Sequence, residues 1–192
     1  MNTLANATDA QLVCAFQSGD NHALEILINR HKDRIFSSIL YMLNDRHLAE
    51  DVFQDVFIKI INTLRSSRYN DEGKFLLWAL RISHNLCLDH FRKVNRTKSV
   101  ASDETDIFEM IGSTTDAADV KMAQMQSHHQ VRLMLNLLPQ DQREVIVLRH
   151  YADLSFKEIA ELTNCSINTA LGRMRYALIN LRKIMVEKQL VL

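Results

Sequence analysis

Four glycines and one proline are spread over 192 residues, five positions where ordinary usage puts about 12% of a chain. Two-residue hairpins and tight strand-to-helix turns depend on those residues for positive φ or a preset backbone. An all-β or doubly wound architecture is therefore excluded, and the expected fold class is all-α. Apolar residues make up 47% and charged residues 24%, enough of both for real cores and a wetted surface. At this length one or two domains are expected.

Three cysteines, Cys14, Cys87 and Cys165, stand far apart with no C-x-x-C between them. Neither a disulfide framework nor a zinc ribbon is indicated. The longest apolar runs, such as residues 75–80, fall well short of the ~18 residues that cross a bilayer. Asp9 sits near the start and no basic segment precedes an apolar stretch, so no secretory signal is read and a cytoplasmic location is expected.

Lys plus Arg and Asp plus Glu both total 23, but the zero net charge hides a division. Residues 1–98 carry +2, residues 99–116 carry −5 and residues 117–192 carry +3. The middle segment holds Asp103, Glu104, Asp106, Glu109 and Asp116 among Ser and Thr, with no basic residue. It reads as an acidic linker between two small helical domains, 1–98 and 117–192. Two roles stay open for it: a solvated tether, or a segment whose acidic and apolar side chains occupy a basic groove meant for nucleic acid.

Periodicity places the helices. Asp20 caps a run with Leu24, Leu27, Ile28, Ile35, Ile39 and Met42 on one face. Val52, Val56, Ile60 and Leu64 recur every fourth residue, with Phe53, Phe57 and Ile61 beside them. Residues 66–73 break the pattern, and Phe75 to Lys93 resumes it. Ala117–Leu138 is expected to be helical, and Pro139 suits the first turn of a helix through Leu148.

The last sixty or so residues carry the most specific local signal. Ser155-Phe-Lys-Glu158 is a capping box that opens a helix through Leu162. Thr163-Asn164-Cys165 makes a turn in which Asn164 tolerates a left-handed backbone. Ser166 caps a second helix whose expected inward positions are Ile167, Ala170, Met174, Leu178, Leu181 and Met185. Small Ala160 suits a close crossing, so the pair reads as a helix-turn-helix. Its second helix holds Arg173, Arg175, Arg182 and Lys183 with no acid between Ser166 and Val186, as phosphate neutralisation requires.

Two blocks resemble the bacterial sigma-70-related factors of the extracytoplasmic-function class. Residues 138–183, LPQDQREVIVLRHYADLSFKEIAELTNCSINTALGRMRYALINLRK, resemble the domain that reads the −35 promoter element. Residues 23–93 resemble the domain that binds polymerase and reads the −10 element, with AEDVFQDVFIKI similar to its polymerase-binding helix and FLLWALRISHNLCLDHFRK to its −10-reading helix. The resemblance implies partnership with core RNA polymerase and promoter DNA, and an inhibitory anti-sigma factor, with no membrane insertion and no cofactor.

Carried over by position, Asp51, Gln54, Asp55 and Lys59 match the polar face of the polymerase-binding helix, opposite its apolar stripe. Ser66–Lys74 matches the loop that accepts a base flipped from the −10 strand, with Arg68, Tyr69, Asn70 and Lys74 as candidate groups. Arg81, His84, Asn85, Arg92 and Lys93 fall where the family's helix faces DNA. Trp78 is read either as a melting wedge or as core. Ser166, Asn168, Thr169, Arg173, Arg175 and Tyr176 are the −35 candidates. The recognition helix departs from the family pattern at Leu171, Gly172 and Asn168, so its base contacts are expected to differ from the common ones.

No nucleophile motif or phosphate loop occurs, and His84 and His90 are six apart rather than at the i,i+4 spacing of a helical zinc pair. Neither an enzyme nor a metal site is expected. Two rivals to the promoter-specificity reading remain: a stand-alone helix-turn-helix regulator, and an adaptor that binds polymerase without touching DNA.

Overall fold

The computed structural model describes residues 4, 6–66, 68–69, 73–100 and 130–188, with the backbone alone at 95 and 97–100. Every regular element among them is helical. The helices are α1 (Asp9–Gln17), α2 (Asn21–Leu43), α3 (Arg46–Arg65), α4 (Phe75–Val100), α5 (described over 130–136), α6 (Gln140–His150), α7 (Phe156–Leu162) and α8 (Ile167–Glu187).

Short polar caps make the corners that glycine and proline supply elsewhere. Thr8 and Gln11 close a reciprocal capping box at the start of α1. Asp20 accepts from the His22 amide to open α2, and Asp45 accepts from the Leu48 amide to open α3. Between them Asn44 takes φ 57°, the left-handed conformation that ends a helix and that Asn tolerates better than most residues.

In the first bundle, α2, α3 and α4 pack on one another and α1 lies across α2 and α3. Leu27, Ile35 and Ile39 of α2 are sealed, as are Val56, Ile60 and Leu64 of α3 and Phe75, Ala79 and Leu80 of α4. Truncating one of the buried leucines or isoleucines to Ala costs about 2–5 kcal/mol. A polar clamp adds to this packing. Asp9 accepts from Arg30 Nη1 at 2.6 Å and meets His31 Nε2 at 2.7 Å. Burial holds the His31 pKa below its ordinary value in spite of Asp9, and its Nδ1 is buried without a partner. That arrangement fits a neutral ring that donates from Nε2.

The second bundle packs α6 and α7 against α8. Pro139 is the N-cap of α6 rather than its first helical residue, and the helix continues to His150. Ser155 and Glu158 form the expected capping box, and Asn164 adopts φ 52° in the turn. The inward stripe of α8 differs from the expected one. Ala170, Met174 and Ala177 are buried, whereas Ile167 and Leu178 are 45% and 43% exposed. A close crossing at Ala160 favours small residues at the contact, so the alanines turn inward and the bulky side chains turn out.

The two bundles touch. α2 packs on α6, α4 meets α7, and one apolar cluster runs through both. Helix α4 continues to Val100 and so takes up the first two residues of the expected linker, which starts at 99. The rest of the 99–116 segment, and 117–129 of the helix expected from Ala117, lie outside the described residues.

Candidate nucleic-acid interface

The start of α8 presents the −35 candidates. Ser166 Oγ accepts from the Thr169 amide at 3.0 Å and lies 2.8 Å from the Thr169 hydroxyl. This cap aims the free N–H groups of the first turn outward, where anions are favoured. Asn168, Thr169 and Arg175 are exposed, and Tyr176 stands 61% exposed. Arg173 differs from these. Its Nη2 lies 2.6 Å from Asp141 Oδ2 of α6, and its side chain is only 26% exposed.

Asp141 is a residue that sequence reading missed. Its signal, an acid just after Pro139, resembles any acidic first turn. Gln142 accepts a second cross-link, from Asn180 Nδ2 at 2.8 Å. Between the two helices lies an open groove of about 430 Å³, lined by Pro139, Asp141, Thr169, Gly172, Arg173 and Tyr176.

The −10 candidates occupy the first bundle. Arg68 and Lys74 are exposed, and Asn70 lies outside the described residues. The Tyr69 ring lies over Trp78 with centroids 4.2 Å apart and planes inclined by 32°, and it meets Phe75 edge-on. Half-buried Trp78 packs against the core, as one of its two expected roles has it, and forms the floor on which Tyr69 rests.

Along α4, Arg81, Asn85 and Arg92 share an exposed face, with Arg92 donating to Asp89 at 2.9 Å, and Lys93 is exposed beside them. His84 departs from that set. It is 7% exposed and its Nε2 is hydrogen-bonded to Glu144 Oε1 of α6 at 2.5 Å, a residue itself 8% exposed. In this arrangement the second bundle covers His84, through Glu144 of α6 and the contact of α4 with α7.

On α3, Asp51, Gln54, Asp55 and Lys59 are all exposed. In their midst stands Ile58, 56% exposed, which sequence reading passed over because it falls outside the apolar stripe. An apolar side chain ringed by polar ones is the pattern of an interface anchor.

Among the described residues no group of three His, Cys, Asp or Glu side chains is placed to hold a metal. Cys14, Cys87 and Cys165 are free thiols, and burial pushes Cys87 up to about 12. No described helix is long and apolar enough to cross a membrane.

Comparison with known proteins agrees with this geometry. Residues 27–97 match the family model of sigma-70 region 2, and residues 128–176 match that of sigma-70 region 4. The RNA polymerase sigma-H factor of Pseudomonas aeruginosa is 27% identical over 176 residues, covering 89% of this chain and 90% of that protein. The RNA polymerase sigma factor CarQ of Myxococcus xanthus is 29% identical over 175 residues, with 91% and 96% covered. The ECF sigma-E factor of Escherichia coli is 28% identical over 172 residues, with 87% and 88% covered. Among solved structures, CnrH bound to the cytosolic domain of CnrY superposes with TM-score 0.69 at 22% identity, over 94% of this chain and 99% of that one. Bartonella quintana RpoE bound to the anti-sigma factor NepR gives 0.67 at 18% identity, over 84% and 96%. These superpositions establish the fold, and the two region matches in their order establish the lineage: the chain belongs to the sigma-70-related factors of the extracytoplasmic-function class.

Proposed function

We propose that the chain is an alternative sigma factor that joins core RNA polymerase and directs it to promoters. The observation that carries this reading is the union, in one chain, of a region 2 match over 27–97 and a region 4 match over 128–176. A stand-alone regulator is not favoured, because the region 2 match takes up the half that such a regulator would devote to a ligand or dimer domain.

The division of labour follows from the form of DNA that each element meets. Helix α8 enters the major groove of duplex −35 DNA with Asn168, Thr169, Arg173, Arg175 and Tyr176 toward base edges and phosphates, on a backbone oriented by Ser166. The loop before α4 receives an unstacked −10 base, with Tyr69 on its Trp78 floor as the stacking surface and Arg68, Asn70 and Lys74 as polar groups. Arg81, Asn85, Arg92 and Lys93 track the strand along α4. Asp51, Gln54, Asp55 and Lys59, with Ile58 among them, dock on polymerase. Chain synthesis is the polymerase's chemistry, and this protein contributes selection and melting in the cytoplasm, with domain boundaries near 98 and 117.

An anti-sigma factor is the expected inhibitor, since Bartonella quintana RpoE, which shares this fold, was solved in complex with the anti-sigma factor NepR. Reconstitution with core polymerase and run-off transcription across a genomic promoter library tests the function. Initiation from a defined subset of promoters, absent with core alone, is the expected result. Tight and selective duplex binding by the isolated chain, with no gain from polymerase, would replace this reading with the stand-alone regulator.

A further inference from the structure

We infer that Asp9 of α1 is a positioning residue for the −10 base-capture site, acting through His31 and Phe75. The role rests on the reading of Tyr69 and Trp78 as the surface that receives the unstacked base. Asp9 lies ahead of the region 2 match, which begins at residue 27. Thr8 and Gln11 fix the first turn of α1, and Asp9 sits in that turn, where an acid is favoured. Its carboxylate oxygens have separate partners. Oδ1 accepts from Arg30 Nη1 at 2.6 Å, and Oδ2 accepts from His31 Nε2 at 2.7 Å. Arg30 also donates to the Ala7 carbonyl at 2.9 Å, which ties the start of α1 to α2.

From His31 a run of rings leads to the site. The buried His31 ring meets Phe75, the first residue of α4, with centroids 5.5 Å apart and planes inclined by 40°. Phe75 is itself buried. It meets Trp78, one turn on, at 5.8 Å, and Tyr69 edge-on at 6.2 Å. These three separations fall within the ~4.5–7 Å over which aromatic pairs attract by geometry as well as by area. Tyr69 then closes the cluster by lying over Trp78.

A base gains most from a stacking surface that is already in place, because a ring that must be ordered on binding subtracts from the contact. Such a surface keeps its place only when the groups behind it are held by packing and hydrogen bonds. Among the described residues His31 Nδ1 has no partner, so the hydrogen bonding of the ring rests on Asp9. Without Asp9 both nitrogens are buried and unpaired, a costly state that the ring relieves by turning or by admitting water. Phe75 then loses a fixed neighbour, and Tyr69 and Trp78 lose the support that sets their register.

Trp78 is the sole tryptophan of the chain, so its fluorescence reports on the site directly. The experiment measures acrylamide quenching of Trp78 in the full chain, and the affinity of holoenzyme for a single-stranded −10 oligonucleotide. In Asp9→Ala and in His31→Leu quenching should rise, and capture should weaken by about three- to tenfold. The double variant should be no worse than either single one, because Asp9 acts through His31. Asp9→Asn keeps an acceptor for Nε2 and should match the native chain in both readouts. Ile39→Ala, about two turns further along α2 in the same core, should move neither. Native quenching or native capture in Asp9→Ala would overturn the positioning role, as would additive losses in the double variant. Should Asp9→Ala lose helix content by circular dichroism, His31→Leu decides on both readouts, since an apolar residue there leaves no buried ring nitrogen unpaired. Tyr69→Ala separates the two claims. Capture lost there but native in Asp9→Ala sinks the positioning role alone, whereas native capture in Tyr69→Ala sinks the base-capture reading beneath it.

Discussion

Arg173 and Asp141 meet at 2.6 Å across the crossing of α8 and α6. The recognition helix therefore does not present all its cations alike: Arg175 is exposed, while Arg173 is held by a carboxylate at the rim of the groove between the helices. A guanidinium fixed on one side by an acid offers its remaining N–H donors in one direction. That is the condition for a bidentate base contact rather than a diffuse attraction to phosphate.

Substitution of the two partners should separate these roles. Arg173→Ala is expected to lose roughly 1–3 kcal/mol of binding to the preferred −35 duplex, and much less on mismatched duplexes. Asp141→Ala should leave affinity for random duplex nearly unchanged or higher while flattening the preference among −35 sequences. Holoenzyme binding to a panel of single-base −35 variants measures both. An equal loss on every sequence for Arg173→Ala would make it a phosphate contact.

On α3, Asp51→Lys with Asp55→Lys should weaken core polymerase binding with helix content intact, since both side chains are exposed. Ile58→Asp is expected to weaken it by a further tenfold or so, the ordinary cost of losing an apolar anchor at about 1–2 kcal/mol. Competition for core polymerase at moderate salt reads both effects. Unchanged affinity would place the docking surface elsewhere.

Tyr69→Ala removes the ring from its Trp78 floor and should impair open-complex formation. It should also lower the affinity of holoenzyme for a single-stranded −10 oligonucleotide by about 1–3 kcal/mol, the usual worth of one base–aromatic stack. Pre-melting the promoter rescues a melting defect but not a capture defect. Normal capture by the variant would show that Tyr69 serves only to pack the loop.

Acid should loosen the first bundle through His31. Its folded pKa is depressed by burial below the ordinary 6.5, so the unfolded state takes up protons first as pH falls. Stability from this site is fully present above about pH 6.5 and declines as pH drops toward the folded value. The urea midpoint at pH 7.5 and at pH 5.5 should therefore differ more for the native chain than for His31→Leu. Equal differences would assign the acid loss to other groups.

Local chemistry was legible in the sequence where a few adjacent residues decide the backbone. Asp20, Ser155 with Glu158, Asn164 and Ser166 all act where their spacing placed them. The face of α8 was not, because ranking side chains by size puts Leu178 inside, whereas a close helix crossing selects Ala177. Glu144 was least legible. An acid in a helix reads as solvated, and its partner lies 60 residues away in the other bundle. Burial of a polar pair across a domain junction leaves no periodic trace, since neither helix needs a polar residue there for its own sake.

Gly172 lies on the groove between α6 and α8, and a side chain built there would meet nothing within 4 Å. Glycine inside a helix is unfavourable by about 0.5–1 kcal/mol relative to alanine, and no neighbour here requires it. A residue that is both unconstrained by packing and adjacent to Arg173 is a point of free variation. Descendants of this gene can place a hydroxyl, an amide or a cation at that position without disturbing any contact around it. On the proposed reading of α8 as the −35 helix, promoter preference can drift by single substitutions at one site, and a duplicated copy can acquire a new set of target genes while its fold stays the same.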